Sequence, residues 1–409
     1  MNGTGERRWT GFFTVCAVAM VFLLIGSGLG LSLTAHSTYD SYTLQAMAWR
    51  DGTFIIRDGA SLSWLELAIY RGDYYVSFPP FPSVVMLPLT WIFGSQTPTL
   101  CINLFMILCT AAFGFALLHR IGLETRRAAT VAFFYVCGCN ILIIMLRGGV
   151  WYTAQGMSML LTTAFLYGIN APPGKNQRVA VGAALLCLAL AVGCRPFQAV
   201  YVPYGLYKLY TRLGGEGEDD SPVCRMVRMI PYLILPLAVA CAYGWYNWIR
   251  FGNPLEFGHN YLPEFTREGN QQFSLAHWPH NMQNILRMPA IEDGRLVFET
   301  LGPSALILVY PIFIISMIET IQRIIRKDLD AEDGILIASL MFHFNLLLLH
   351  RTLGGSQFGV RYMIDLMPTM LLLTFRKKKE VTCVDALLML MGIAINVYGA
   401  ITFYIPVIF

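Results

Sequence analysis

Charged residues are scarce in this chain of 409 residues. Asp, Glu, Lys and Arg together make up 13% of the sequence, whereas hydrophobic residues make up 56%. This composition excludes an ordinary soluble protein, which carries about a quarter charged residues, and it leaves no polar stretch long enough for a separate soluble domain. The formal net charge is only +4. The sequence therefore gives no indication of a nucleic-acid partner.

The cysteines and histidines form no pattern typical of a disulfide framework or a zinc site. Nine of the ten cysteines lie in or at the edge of apolar stretches, and only Cys224 lies in a loop. His277 and His280 share an unpatterned loop with His259, at spacings that do not match those of metal ligands. We therefore expect no metal and no cofactor, because these residues do not support a divalent ion.

Apolar runs of about 18–22 residues recur along the chain, and this length matches one helical crossing of a bilayer. We predict an all-α polytopic membrane protein with about 11–12 transmembrane helices, forming a single integral-membrane domain over residues 1–409. The predicted spans lie at 11–33, 98–118, 128–146, 149–170, 179–194, 197–211, 229–249, 300–322, 334–349, 361–375 and 383–405. A short apolar segment at 80–94 is predicted to enter the membrane and return, because about fifteen residues are too few for a full crossing.

Basic residues indicate how the chain is oriented. Arg7 and Arg8 precede the first span, and basic clusters recur between the later spans. Under the positive-inside rule, the amino terminus and these clusters are cytoplasmic. The first loop, 35–78, and the second large loop, 250–299, are then extracytoplasmic. We expect a multi-pass plasma-membrane protein whose active site lies on that outer face.

The first loop is a polar island in a chain that is poor in charge. It carries four Asp, one Glu and three Arg. Two of its segments, 41–49 and 61–70, have apolar residues on one helical face and are predicted to be interfacial helices that lie on the membrane. These helices are expected to hold the loop close to the bilayer.

Several arginines lie at predicted span ends on the same side as this loop. Arg147, Arg195 and Arg361 are energetically costly there, and ionisable groups so placed are functional candidates by default. A guanidinium group binds phosphate oxygens in a bidentate geometry. Together with Asp40, nearby amides and aromatic rings, these arginines are suited to a lipid-linked phosphate and a sugar.

Short motifs spread over most of the chain carry a family resemblance. The motif residues are Asp40 soon after the first span, then Tyr42, Ala48 and Gly52, then Gly-Asp-Tyr-Tyr at 72–75 leading into Phe-Pro-Pro-Phe-Pro at 78–82, and the segments 248–258 and 358–362. This pattern resembles the GT-C glycosyltransferases. Within them it is most similar to the branch related to protein O-mannosyltransferases and lipid A aminoarabinose transferases.

The resemblance implies a GT-C-type helix bundle and an inverting transfer of a sugar from a polyprenyl-phosphate donor to an acceptor hydroxyl on a glycan, lipid or protein. In this role Asp40 is the general base. Arg195 and Arg361, with Arg147 behind them, bind the donor phosphate. The residues expected to line the sugar and acceptor pocket are Tyr39, Trp151, Gln357 and His259. Many members carry paired acidic residues in the first loop, whereas Ser41 follows Asp40 here, which argues against a metal-assisted version.

Other interpretations of the same residues stay open at this stage. Asp40 is a preferred residue type for the N-cap of the helix predicted after it. Arg195 and Arg361 are long enough to reach lipid headgroups or to pair with Asp365 and Glu256. The whole protein could be a transporter or flippase of lipid-linked precursors, or a catalytically inactive partner with the same fold. Asp40→Asn would distinguish these, because a transporter should tolerate it better than a transferase.

Overall fold

The computed structural model describes residues 3–174, 177–214, 221–266, 271–299 and 302–403. Parts of the predicted spans 300–322 and 383–405 and of the loop 250–299 lie outside the described residues. The α-helices are α1 Gly3–Gly28, α2 Ser41–Arg50, α3 Phe81–Phe93, α4 Thr99–Arg120, α5 Thr125–Cys137, α6 Ile141–Arg147, α7 Val150–Ile169, α8 Gln177–Val192, α9 Val202–Leu213, α10 Pro222–Phe251, α11 His277–Ile285, α12 Leu306–Val309, α13 Ile312–Ile325, α14 Ala331–Leu348, α15 Met367–Phe375 and α16 Cys383–Thr402.

Short 3₁₀-helices and two small hairpins complete the described elements. The 3₁₀-helices are Gly59–Leu65, Gly94–Gln96, Pro196–Tyr201, His259–Tyr261 and Arg361–Leu366. Strand β1, Leu67–Tyr70, pairs antiparallel with β2, Asp73–Val76, and β3, Ala290–Glu292, pairs in the same way with β4, Arg295–Val297. The predicted all-α polytopic class is confirmed, since strands contribute only these two hairpins among the described residues.

Five helices in the described part of the chain, α1, α4, α10, α14 and α16, are long and apolar enough to cross a membrane. The pair α5 and α6, bent by 51°, makes a sixth if it is one span. This number is below the predicted 11–12. Some of the other predicted spans are divided into shorter pieces at a proline, whose missing backbone N–H is best tolerated in the first turn of a helix. Pro196 begins a 3₁₀ turn before α9, and Pro368 lies in the first turn of α15.

The centre of the bundle is the short helix α15, whose nine residues are all buried. It packs against α7 and α13, and α7 in turn packs against α4 and α8. Every residue of α15 is apolar except two threonines, and the Thr374 hydroxyl donates to the Met370 carbonyl at 2.7 Å. The Thr374 hydroxyl is therefore satisfied within the helix, which favours its place in the core.

In the first loop one of the two predicted helices is present and the other is not, and the position of the first at the membrane surface stays a prediction. The segment 41–49 is helical, within α2. The segment 61–70 is not a helix over its length, because its chain leaves the 3₁₀-helix at Glu66, where φ is 52°, and continues as strand β1. Arg71 and Gly72, both with positive φ, form the two-residue turn to β2. That turn geometry matches the twist of a hairpin and competes successfully with the helical pattern.

Candidate functional site

A cavity of about 870 Å³ lies at the end of the bundle where α14 finishes and α7 begins. Connections between helices form its wall, including the segment after α1, the α6–α7 junction, the turn after α8 and the loops near 255–264 and 350–362. The predicted site residues on the wall are Tyr39, Arg147, Trp151, Arg195, His259 and Arg361. The structure thus brings together six of the eight predicted residues, and the two that do not line this cavity are Asp40 and Gln357.

The three predicted arginines differ in how their charges are satisfied. Arg195 forms an ion pair with Asp365, with its Nη2 and Nε each 2.8 Å from Oδ2. Arg361 Nη1 is 3.3 Å from the side-chain oxygen of Gln155, and its buried Nε has no hydrogen-bond partner among the described residues. Arg147 Nη1 is likewise buried without a partner in the described chain. Buried unpaired donors are costly, and both residues line the cavity, so they place positive charge beside it that no ion pair in the described chain neutralises.

One aromatic ring connects two of these cations. The Tyr362 ring centre lies 4.7 Å from the Arg195 guanidinium carbon and 4.8 Å from that of Arg361. Cation–π contacts of this length hold both guanidinium groups in fixed positions. Two positive charges held on one cavity wall form an electrostatic feature suited to a phosphate.

Asp40 is the N-cap of α2, which was the alternative interpretation of this residue. Its Oδ1 accepts hydrogen bonds from the backbone N–H groups of Tyr42 at 3.1 Å and Thr43 at 3.2 Å, and Oδ2 accepts from the Thr43 hydroxyl. The residue is 2% exposed. Burial raises the pKa of the Asp40 carboxyl, and the hydrogen bonds from Thr43 oppose that shift. The role of Asp40 as a general base stays a prediction.

Glu66 is a carboxylate on the cavity wall that the sequence analysis missed. Its Oε2 accepts a hydrogen bond from the indole N–H of Trp151 at 2.7 Å. Burial raises the pKa of the Glu66 carboxyl, partly offset by that bond. The backbone of Glu66 is left-handed, a strained conformation that occurs preferentially at functional sites. Its one sequence signal is that it is the sole glutamate of the first loop.

Aromatic rings and a histidine form another part of the wall. The Tyr39 and Trp151 ring centres are 5.7 Å apart. The ring centre of His259 lies 5.6 Å from that of Phe78 and 6.2 Å from that of His350. Burial lowers the pKa of His259 to about 4. The imidazole is therefore neutral near pH 7, so it can donate or accept a hydrogen bond but carries no charge.

Gln357 supports the wall from behind. Its side-chain nitrogen donates to the Leu353 carbonyl at 3.0 Å, and its side-chain oxygen accepts from the backbone N–H of Arg361 at 2.9 Å. It is 1% exposed. Gln357 therefore fixes the loop that precedes Arg361. Its predicted contact with a sugar stays a prediction.

The described residues offer few side chains that could together coordinate a metal ion. Among the described residues, no group of three or more His, Cys, Asp and Glu side chains is arranged to hold a metal. All ten cysteines are free thiols. The expectation that the protein uses no metal stays a prediction.

Comparison with known proteins supports the fold. No family model matches the chain, and no curated protein matches it. The apo crystal structure of ArnT from Cupriavidus metallidurans is similar over 89% of this chain and 58% of its own, with 12% identity and a TM-score of 0.50. The same protein bound to undecaprenyl phosphate is similar over 94% of this chain and 62% of its own, with 14% identity and a TM-score of 0.51.

The chain spans about six tenths of the length of these two solved structures. At such low identity the likeness concerns the fold. The resemblance in fold that the loop motifs predict is confirmed as a structural similarity to ArnT. The chain is an integral membrane protein with the helical fold of ArnT.

Proposed function

We propose that this protein is a lipid-linked glycosyltransferase. It transfers a sugar from a polyprenyl-phosphate donor to the hydroxyl of a glycan, lipid or protein acceptor. The observation that carries the proposal is that incompletely paired guanidinium groups and a half-buried carboxylate meet on the wall of one cavity. The similarity to ArnT bound to undecaprenyl phosphate supports a polyprenyl lipid as the partner.

The arginines act on the leaving group. When the bond between the anomeric carbon and the phosphate oxygen breaks, negative charge grows on the lipid phosphate, and fixed cations stabilise it. Arg361 and Arg147 have free buried donors for this purpose, whereas Arg195 is held by Asp365 and contributes its charge from a fixed position. Membrane lipids around the bundle hold the polyprenyl chain.

A carboxylate accepts the proton of the acceptor hydroxyl. The acceptor oxygen then bonds to the anomeric carbon on the face opposite the phosphate, which inverts the configuration. Asp40 is the residue that the family resemblance assigns to this step. Glu66 is a second candidate, because it lines the cavity and its raised pKa makes its carboxylate a stronger base than an ordinary glutamate. The two carboxylates make different predictions for substitution.

The sugar lies against the aromatic part of the wall. Tyr39 and Trp151 present ring faces suited to the apolar side of a sugar, and neutral His259 offers a hydrogen bond. The hydrogen bond from the Trp151 indole to Glu66 couples this surface to the carboxylate. We propose that this site faces the extracytoplasmic side and that the amino terminus is cytoplasmic, in accordance with the basic clusters.

The test is transfer or hydrolysis of a panel of radiolabelled polyprenyl-phosphate sugars by purified protein in detergent. Wild type is compared with Asp40→Asn, Glu66→Gln and the matched control Asp51→Asn, which removes an exposed acid from the same loop. We expect turnover with at least one donor. Loss of turnover by about 10²–10⁴-fold in one variant identifies the general base, whereas the control should match wild type.

The alternative functions give different results in the same assay. Donor binding without turnover in any variant would favour a flippase or an inactive partner and would contradict the enzyme. Turnover that survives in both Asp40→Asn and Glu66→Gln would support a transferase whose base is neither residue.

A further inference from the structure

A second cavity, of about 320 Å³, lies between α1 and α4 at the end of α1 that carries Arg7 and Arg8. Its apolar wall is formed by Phe12, Val15, Ala112 and Phe115. The helices approach closely here, since a side-chain carbon added at Gly11 would lie 2.8 Å from the Phe115 ring. The cavity is thus a groove with two guanidinium groups at its mouth and hydrocarbon along its depth.

The groove lies at one end of the candidate membrane span of α1. The candidate span of α1 is Gly5–Gly28, so Arg7 and Arg8 are at the end of a crossing. Trp9 and Phe13, which are 56% and 61% exposed, lie on the next turn with their rings 6.1 Å apart. Aromatic residues beside basic residues at a span end are typical of the headgroup region of a bilayer.

The charges at the mouth lack a nearby counter-ion. Neither Arg7 nor Arg8 forms an ion pair within the described part of the chain, and the neighbouring acid, Glu6, lies 3.8 Å from Arg126 instead. Arg7 is close enough to the end of α4 to repel His119 and Arg120 electrostatically. An anion placed at this mouth would relieve repulsion among like charges as well as gain attraction.

We infer that this groove binds an anionic phospholipid, with the headgroup phosphate at Arg7 and Arg8 and the first part of an acyl chain against the wall of α1 and α4. The combination of charge and hydrocarbon matches a lipid and does not match free phosphate, which has no use for the apolar depth. This site is separate from the large cavity. Basic pockets between transmembrane helices are known to select anionic headgroups.

The test uses delipidated protein in neutral detergent and native mass spectrometry with added dioleoyl phosphatidylglycerol or dioleoyl phosphatidylcholine. Each arginine near an anionic headgroup contributes about a factor of five in affinity, so Arg7→Gln with Arg8→Gln should weaken retention of the anionic lipid about 30-fold. The matched control is Arg326→Gln with Lys327→Gln, an exposed basic pair at the end of α13.

A second variant tests the apolar depth without changing charge. Ala112→Phe, on the exposed face of α4, should fill the groove and reduce retention, whereas Val179→Phe on the exposed face of α8 should not. Equal retention of both lipids, wild-type retention by the double arginine variant, or no effect of Ala112→Phe would each overturn the inference. So would displacement of the lipid by millimolar inorganic phosphate, or stronger retention of undecaprenyl phosphate than of phosphatidylglycerol.

Discussion

Two charged regions lie at opposite ends of α14, about 27 Å apart by helix geometry, and they differ in how their charges are paired. At the first turn of α14 is a cluster that we call the basal ion network, which consists of Arg323, Asp330, Glu332, Asp333, Arg376 and Lys377. Beyond the last turn lies the large cavity with its three arginines. In the network every member contacts a group of opposite charge, whereas in the cavity only Arg195 is in an ion pair among the described residues.

Arg376 shows how fully the network is satisfied. Its Nη1 is 2.6 Å from Asp333 and 3.0 Å from Asp330, and its Nη2 is 2.9 Å from Glu332. Hydrogen bonds from Arg376 and from the backbone of Asp333 hold the pKa of Asp330, the N-cap of α14, well below its usual range. These ion pairs bind α13, α14 and α15 together, and each charged group of the network has a partner of opposite charge. Incomplete pairing in the cavity lowers stability and leaves donors available.

The largest expected effect comes from breaking the network. Arg376→Gln leaves Asp333, which is fully buried, with less positive charge around it. Removing one partner from a buried ion pair costs about 3–5 kcal/mol in free energy of unfolding. Thermal unfolding in detergent should detect this loss, while sugar transfer per folded molecule stays at the wild-type level. An unchanged unfolding temperature would contradict a structural role for the network.

Changing the cavity should give the reverse result. Arg361→Gln removes the guanidinium group with the free Nε, and we expect kcat/KM for transfer to fall about 10²–10³-fold, or about 3–4 kcal/mol. The free energy of unfolding should fall by only about 1 kcal/mol, because one hydrogen bond to Gln155 is lost. Arg361→Lys is the matched control and should recover part of the rate. Transfer within threefold of wild type in Arg361→Gln would remove this residue from phosphate binding.

The pH dependence of transfer gives a smaller and more specific effect. If Glu66 is the base, it must be ionised, and its raised pKa means that it takes up a proton at a higher pH than an ordinary glutamate does. The rate should therefore fall as pH decreases, by about tenfold per unit below that pKa. A pH–rate profile of Glu66→Gln should lack this decline. A decline that persists in Glu66→Gln and disappears in Asp40→Asn would assign it to Asp40.

The smallest change in stability is expected at an exposed ion pair in the first loop. This pair provides a contrast with the buried charges. Arg57 and Asp51 are 3.9 Å apart, and their side chains are 74% and 58% exposed. Solvent screens such a pair, so Arg57→Gln should change the free energy of unfolding by less than about 0.5 kcal/mol. Transfer should also match wild type. A change as large as that of Arg376→Gln would show that charge alone, irrespective of burial, determines stability here.

The helical membrane class could be predicted from the sequence because apolar content is a local property. The helices α2 and α3 were likewise predicted within a few residues, since Asp40 caps the first and the prolines at 79–82 begin the second. The prediction of a helix at 61–70 was wrong, and the cause is also local. Two positive φ angles at Arg71 and Gly72 produce a hairpin, and the pattern of apolar residues did not reveal them.

The cavity could be predicted only in part. Position relative to the membrane identified Arg147, Arg195 and Arg361 as members of one face, and all three line the cavity. Which of them are paired depends on residues far away in the sequence. Arg195 meets Asp365 across 170 positions, and Glu66 meets Trp151 across 85. The sequence offered Asp365 as one of several alternatives for Arg195, and no local pattern selected it or indicated the contact between Glu66 and Trp151.

The sequence by itself therefore determined the membrane-embedded helical class and the polar face at which a site would form, because transfer of side chains between water and hydrocarbon is decided residue by residue. Only the tertiary structure decided that Asp40 is buried away from the cavity wall while Glu66 lies on it. Burial and pairing depend on the distances between side chains in three dimensions, and packing of the bundle alone fixes these.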